Sequence, residues 1–297
     1  MTEDFLRRLY ALHYVYPKPL NRLHRLMVDD PELERLKNRT PHEWSVLLGI
    51  SFEQAITLKK SYCESLSIPF DQLYKKHKIT PISYTHPHYP ESLLDLIDPP
   101  AILYTKGDTG LLLAPFKIAV IGSRKASTYS LAAINTLIPP LIEKRAVIVS
   151  GLAVGADAMA HQAAIDNGGR TIAVTGSGFL HPYPKENARL NNIIEETQLV
   201  ITEYPPYTLP LKWNFPMRNR IISGLSKGII VTEAKVKSGT LSTIEHALEH
   251  GRDIFAVPGD IYSPLSEGPH KLIAEGAIPL WEGVRVLEEY PHLAGEI

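Results

Sequence analysis

Two hydrophobic rhythms divide the chain. From residue 116 onward, short β-branched runs alternate with longer stretches whose apolar residues recur at helical spacing. Strands are expected at 117–121, 146–150, 170–175, 199–203, 228–233 and 253–257, with a short one near 277–280. Helices are expected at about 127–144, 157–167, 187–196, 217–226, 241–250, 268–275 and 283–290. Residues 1–77 carry the helical rhythm alone: Leu6, Leu9, Tyr10 and His13 fall on one face, and Leu20, Leu23, Leu26 and Met27 on another. Asp30-Pro31 predicts a helix start, Thr40-Pro-His-Glu43 a capping box, and Ser51 the start of a helix to about Ser65. Between the two parts, 79–84 and 101–106 read as strands around a turn at 85–90 and a helical turn at 91–97.

Strands that each feed a helix specify a parallel sheet covered on both faces. The chain therefore reads as a small helical domain over 1–77 and an α/β domain over 78–297, a Rossmann-like, doubly wound, mainly parallel sheet. The helical part has the size of a docking module, or of a packing module only.

Composition narrows the classes. The single cysteine, Cys63, excludes an internal disulfide and a cysteine metal cluster, and fits a reducing, cytoplasmic setting. No run is long enough to span a membrane, and residues 1–16 carry Glu3, Asp4, Arg7 and Arg8 at helical spacing rather than a secretion signal. His86 and His88 lack a third ligand at suitable spacing, so no metal is expected. The net charge of −1 argues against a general polyanion binder, but the charge is unevenly spread. Residues 185–237 hold 8 Lys/Arg against 5 Asp/Glu, and 241–297 hold 3 against 10, which leaves room for a positive face.

In open parallel sheets ligands bind beyond the carboxyl ends of the strands. Four of the loops at that edge carry Gly and Ser: Gly122-Ser-Arg124, Ser150-Gly-Leu-Ala-Val-Gly155-Ala-Asp157, Gly176-Ser-Gly178-Phe179, and Glu233 through Ser238-Gly239-Thr240. A strand that breaks at glycine into a helix offers free backbone N–H groups to an anion, and Arg124 and Lys125 add cations. No Gly-x-Gly-x-x-Gly follows the first strand and no Gly-Lys-Ser/Thr occurs, so no dinucleotide or nucleoside triphosphate cofactor is expected. Lys212-Trp-Asn-Phe-Pro-Met-Arg218-Asn-Arg220 packs three cations and two rings into nine residues. Arg218 and Arg220 fall on different faces of a helix, so one is expected in a groove and the other in an internal pair. Lys185 and Phe179 add a further cation and ring. Cations interleaved with flat rings suit single-stranded nucleic acid, although each of Trp213, Phe215 and Phe179, taken singly, is expected in the core. Asp157 reads as a helix-start residue and His161 as a partly buried partner, and no catalytic set stands out.

Over residues 80–285 the motifs resemble one family, the DNA-processing protein A family (DprA, also called Smf). The resemblance rests on Ile121-Gly-Ser-Arg-Lys-Ala-Ser127, Ser150-Gly-Leu-Ala-x-Gly-x-Asp157, Tyr183-Pro-Lys-x-Asn187, Glu203-Tyr-Pro-Pro206, Ser238-Gly-Thr240 and Phe255-Ala-Val-Pro-Gly259. Its most specific block is Asn214-Phe-Pro-x-Arg-Asn-Arg-Ile-Ile-Ser-Gly-Leu-Ser226. The helical part resembles the family's SAM-like domain more loosely. The resemblance implies a non-enzymatic homodimer that binds single-stranded DNA and helps load the RecA recombinase past single-strand-binding protein during natural transformation. It implies a DNA site at Gly122, Ser123, Arg124, Phe179, Lys185, Arg218, Asn219, Arg220, Ser238, Gly239 and Thr240. The competing reading is a nucleoside-monophosphate phosphoribohydrolase (LOG-like) on a related scaffold. That chemistry needs a glutamate where this chain has Thr243.

Overall fold

The computed structural model describes residues 3–236 and 239–294. The chain forms two compact units. One runs to Thr105 and takes in Glu203–Pro205; the other comprises Lys106–Thr202 and the chain from Pro206 on.

The first unit contains α1 (Glu3–Val15), α2 (Leu20–Asp29), α3 (Pro41–Leu48), α4 (Phe52–Ser65) and α5 (Phe70–Lys76), followed by β1 (Thr80–Ser83) and the first four residues of β2 (Ile102–Gly107). The last two pair antiparallel, with Ile82 opposite Leu103. The expected capping box at Thr40 and Glu43 forms, and Ser51 and Gln54 make a second one. Between them Gly49 takes φ +63°, the left-handed conformation that a glycine adopts without penalty. The helix expected at Asp30-Pro31 does not form. The Asp30 carboxylate accepts from the N–H groups of Glu34 and Arg35, as a cap would, but the chain continues only into a short 3-10 turn at Leu36–Asn38. Asp29 pairs there with Arg35 and Arg39, side-chain contacts that compete with helical continuation. Trp44, fully buried, donates from Nε1 to the Leu36 carbonyl at 3.1 Å.

The second unit follows the expected alternation: β3 (Lys117–Ile121), α6 (Thr128–Glu143), β4 (Val147–Ser150), α7 (Ala156–Asp166), β5 (Arg170–Val174), α8 (Ala188–Thr197), β6 (Leu199–Thr202), α9 (Asn214–Leu225), β7 (Gly228–Val231), α10 (Thr240–Glu249), β8 (Asp253–Ala256), α11 (Glu267–Ala274), β9 (Ile278–Pro279), α12 (Val284–Glu289) and α13 (Pro291–Ala294). These strands lie in the order β6-β5-β4-β3-β7-β8-β9, with parallel pairing throughout. The chain moves outward from β3 through β4 and β5 to β6, then returns to lay β7 on the other side of β3. Strand order reverses there, and the carboxyl-end loops splay apart. Ile118, Val120, Ile148 and Ile230 belong to the apolar cluster with Leu137 of α6 and Ala160 of α7. Their alternates Ala119, Val149 and Ile229 point to the opposite face and are equally buried. Burial on both faces is why these strands read as unbroken apolar runs rather than alternating ones. The last strand, β9, has two residues, one of them a proline.

Candidate nucleic-acid interface

The turn after β3 is pinned along its length. A Cβ on Gly122 would lie 2.6 Å from Thr232 Oγ1 and 2.7 Å from the Ala156 Cβ, so only glycine fits. The Ser123 carbonyl accepts from the N–H groups of Ala126 and Ala156, both at 3.1 Å, which ties the turn to the start of α7. The Ser123 hydroxyl accepts from the Lys125 N–H at 3.0 Å. At the far end, Ser127 caps α6, and its N–H and hydroxyl both donate at 2.7 Å to the buried Glu233 carboxylate beyond β7. Arg124 and Lys125 therefore project to solvent from a fixed base.

Arg218, in the second turn of α9, forms the floor. It is 5% exposed, and its Nη1 donates to the carbonyls of Gly151 and Val174, at the ends of β4 and β5. A Cβ on Gly151 would stand 2.2 Å from that nitrogen, so the close approach requires glycine. Asp157, buried in the first turn of α7, accepts through Oδ2 from the N–H groups of Gly151 (3.1 Å) and Ala153 (3.3 Å). Burial raises its carboxyl above the usual aspartate value, and the nearby Arg218 guanidinium and these bonds oppose the rise. His161, one turn further along α7, is fully buried and held neutral down to about 3, by burial first and Arg218 second. The Thr171 hydroxyl donates to the Ile148 carbonyl at 2.7 Å, so it can only accept from His161 Nδ1 at 2.6 Å, which assigns the proton to Nδ1. Arg218 is thus a brace that clamps the ends of β4 and β5 as much as it is a positive charge.

The walls are aromatic. Phe215 and Tyr183 have ring centroids 5.4 Å apart, tilted, and the Arg124 guanidinium sits 5.8 Å over the Phe215 ring. Asn214 Nδ2 donates to the Gly176 carbonyl at 3.0 Å and fixes the start of α9 beside β5. Asn187 Nδ2 donates to the Leu152 carbonyl at 2.9 Å and fastens the 183–187 segment to the loop after β4. The result is an open, shallow pocket lined by Arg124, Gly151, Ala153, Val154, Gly176, Tyr183, Pro184, Phe215 and Arg218. Flat rings beside an exposed guanidinium can take a planar base and an anionic group together.

Arg124 and Arg218 come together in this pocket, and Gly122 and Ser123 shape the turn that carries Arg124. Lys185 is exposed immediately after Pro184. Phe179 is instead 8% exposed, with the Lys106 ammonium 5.0 Å over its ring and Lys106 paired to Glu195 at 3.0 Å. The ring is buried and does not line the pocket. Arg220 is buried, with its charge felt at His250, away from the pocket lining. Asn219 Nδ2 donates to the Gly239 carbonyl at 3.5 Å, and Gly239 and Thr240 begin α10. Ser238 lies outside the described residues. Seven of the nine lining residues fall outside the sequence-derived set: Gly151, Ala153, Val154, Gly176, Pro184, Tyr183, whose signal is the Tyr-Pro-Lys motif, and Phe215, which the sequence places in the core. Trp213 also departs from that expectation and is 67% exposed.

The chain is 46% identical over 218 residues to the DNA processing protein DprA of Bacillus subtilis, covering 73% of each chain. It is 50% identical over 202 residues to that of Streptococcus pneumoniae, covering 68% of this chain and 71% of the other. Against Protein Smf of Escherichia coli the identity is 44% over 201 residues, covering 67% of this chain and 54% of that one. Among solved structures, the X-ray structure of DprA from Streptococcus pneumoniae superposes with a TM-score of 0.71 at 40% identity, covering 91% of this chain and 96% of that one. DNA processing protein A from Helicobacter pylori, whose structure concerns its single-stranded DNA binding mode, gives 0.66 at 30%, covering 72% and 96%. The model of the family described as DNA recombination-mediator protein A matches residues 80–291, a span that holds every residue of the pocket, and the chain belongs to that family.

Proposed function

We propose that the chain binds single-stranded DNA at the rim of its parallel sheet and passes the strand to the RecA recombinase past single-strand-binding protein, as a non-enzymatic homodimer in the cytoplasm during natural transformation. The observation that supports the binding step is the pocket in which Arg124 stands over Phe215 beside Tyr183, on a floor braced by Arg218. A base stacks against the outer side of the ring pair, where stacking contributes roughly 1–3 kcal/mol and tolerates any sequence. Arg124, and Lys185 beyond Pro184, neutralise the flanking phosphates. A duplex presents stacked, paired bases and gains only the phosphate term. The hand-over to RecA and the dimer follow from the family resemblance.

The test is fluorescence anisotropy with one labelled strand, alone and annealed to its complement with blunt ends. Tighter binding of the single strand is expected at every salt concentration, and equal affinity for the duplex refutes the pocket as a base site. For the later step, RecA filament formation on DNA coated with single-strand-binding protein should accelerate when the chain is added. An unchanged lag refutes the hand-over and leaves the binding step standing.

A further inference from the structure

Trp213 is the N-cap of α9, flanked by Asn214, which is buried, and Lys212, which is exposed. An indole at 67% exposure beside a residue at 3% reflects direction rather than looseness. Asn214 holds the helix start through donations to the carbonyls of Gly176 and Leu209. The loop that precedes it is zipped to the loop after β5: Gly178 N–H donates to the Thr208 carbonyl at 2.9 Å and Leu180 N–H to the Pro206 carbonyl at 2.7 Å. Leu180, Leu209 and Tyr183, carried on the same two loops, are also exposed. Tyr183 lines the pocket, and the two joined loops expose Leu180, Leu209 and Trp213 as well.

The charge on these stretches identifies their occupant. No Asp or Glu occurs between Glu203 and Glu233, or between Asp166 and Glu186. The same stretches supply exposed Lys212 and Lys185. Rings and aliphatic groups on stretches that carry cations and no carboxylate, with Tyr183 in the pocket lining, match a polyanion that carries flat apolar groups.

We propose that Trp213 is a second base platform outside the pocket, and that the bound strand leaves the pocket across the 206–213 loop with Lys212 on its backbone. This rests on the reading of the pocket as a single-strand site and adds the direction of the strand and a residue that holds it.

The experiment titrates wild type, Trp213→Ala, Trp213→Phe and Arg124→Ala with oligothymidylates of about four and about twenty nucleotides, lengths that bracket common single-strand site sizes. Trp213→Ala should weaken the long oligomer about five- to a hundredfold and leave the short one unchanged, the range expected for one lost stacking contact. Trp213→Phe should restore most of the loss, since a flat ring returns. Arg124→Ala should weaken both lengths. The long oligomer should quench indole emission in wild type and in Trp281→Phe but not in Trp213→Phe. If Trp213→Ala binds the long oligomer as wild type does, as it would were these side chains reserved for a protein partner, the second platform is refuted while the pocket stands. An equal loss for both lengths refutes it as well. If wild type fails to bind either oligomer, the pocket reading falls and Trp213 with it.

Discussion

Asp157→Ala tests whether the floor of the pocket is a braced structure. In the folded chain Asp157 Oδ2 accepts from two backbone N–H groups of the loop after β4 and supplies a negative charge near buried Arg218. Alanine removes both. Alanine leaves two backbone N–H donors without their acceptor, at roughly 1–3 kcal/mol each, so the loss should be about 3–5 kcal/mol, most of it from the acceptor and the smaller part from the charge near Arg218. Asp157→Asn separates the two contributions. An amide oxygen in the place of Oδ2 still accepts from Gly151 and Ala153 but carries no charge. Burial raises the Asp157 carboxyl, so the charged form is the disfavoured one, and its contribution to stability diminishes as pH rises through that elevated value. Removing the charge alone should therefore cost less than about 2 kcal/mol, the scale of a modest buried substitution. In urea unfolding at neutral pH, with a slope of about 2 kcal/mol per molar, Asp157→Ala should lower the midpoint by roughly 1.5–2.5 M and Asp157→Asn by less than about 1 M. Equal losses for the two variants would show that the charge, and not the acceptor, holds the loop. A loss below about 1 kcal/mol for alanine would refute the brace altogether.

Three further outcomes are expected. Arg124→Ala should weaken single-strand binding for every sequence and reduce the slope of log affinity against log salt by roughly 0.7, one phosphate contact; an unchanged slope removes Arg124 from the backbone path. Gly151→Ala places a Cβ 2.2 Å from Arg218 Nη1 and should destabilise by about 1–3 kcal/mol through the displaced guanidinium; wild-type stability by calorimetry refutes the close approach. His161 stays neutral in the fold to about 3 but takes up a proton in the unfolded chain below about 6.5, so its stability contribution is whole above that pH and declines toward 3 by about 1.4 kcal/mol per pH unit. His161→Gln should flatten the fall in urea midpoint between pH 6.5 and 4.5, and an identical slope in both proteins refutes the assignment.

Much of the second unit was legible because its strands are buried on both faces, so runs such as Ile118–Ile121 and Ile229–Val231 carry no competing polar signal. The start of α9 was placed three residues late. Pro216 sits in the first helical turn, where a missing N–H costs nothing. Side-chain direction at that turn decided the rest. Trp213 and Phe215 look alike in sequence, yet one faces solvent and the other walls the pocket, a distinction fixed by the Asn214 anchor to Gly176. Phe179, which taken singly is expected in the core, is buried, and no local pattern reveals Lys106 over its ring, a contact between distant positions. The helix expected at Asp30-Pro31 failed for a similar reason: the cap formed, and ion pairs at Asp29 drew the following residues elsewhere.

The two-residue strand β9 sets a limit on self-association. Pro279 lies opposite Ala256 in the outermost ladder and has no N–H to offer a further strand. A neighbouring strand therefore finds no backbone donor at Pro279, which disfavours extension of the sheet across that border. Contacts between two copies on that flank then fall mainly to side chains, so single substitutions there can tune the strength of pairing with little risk of a runaway fibre.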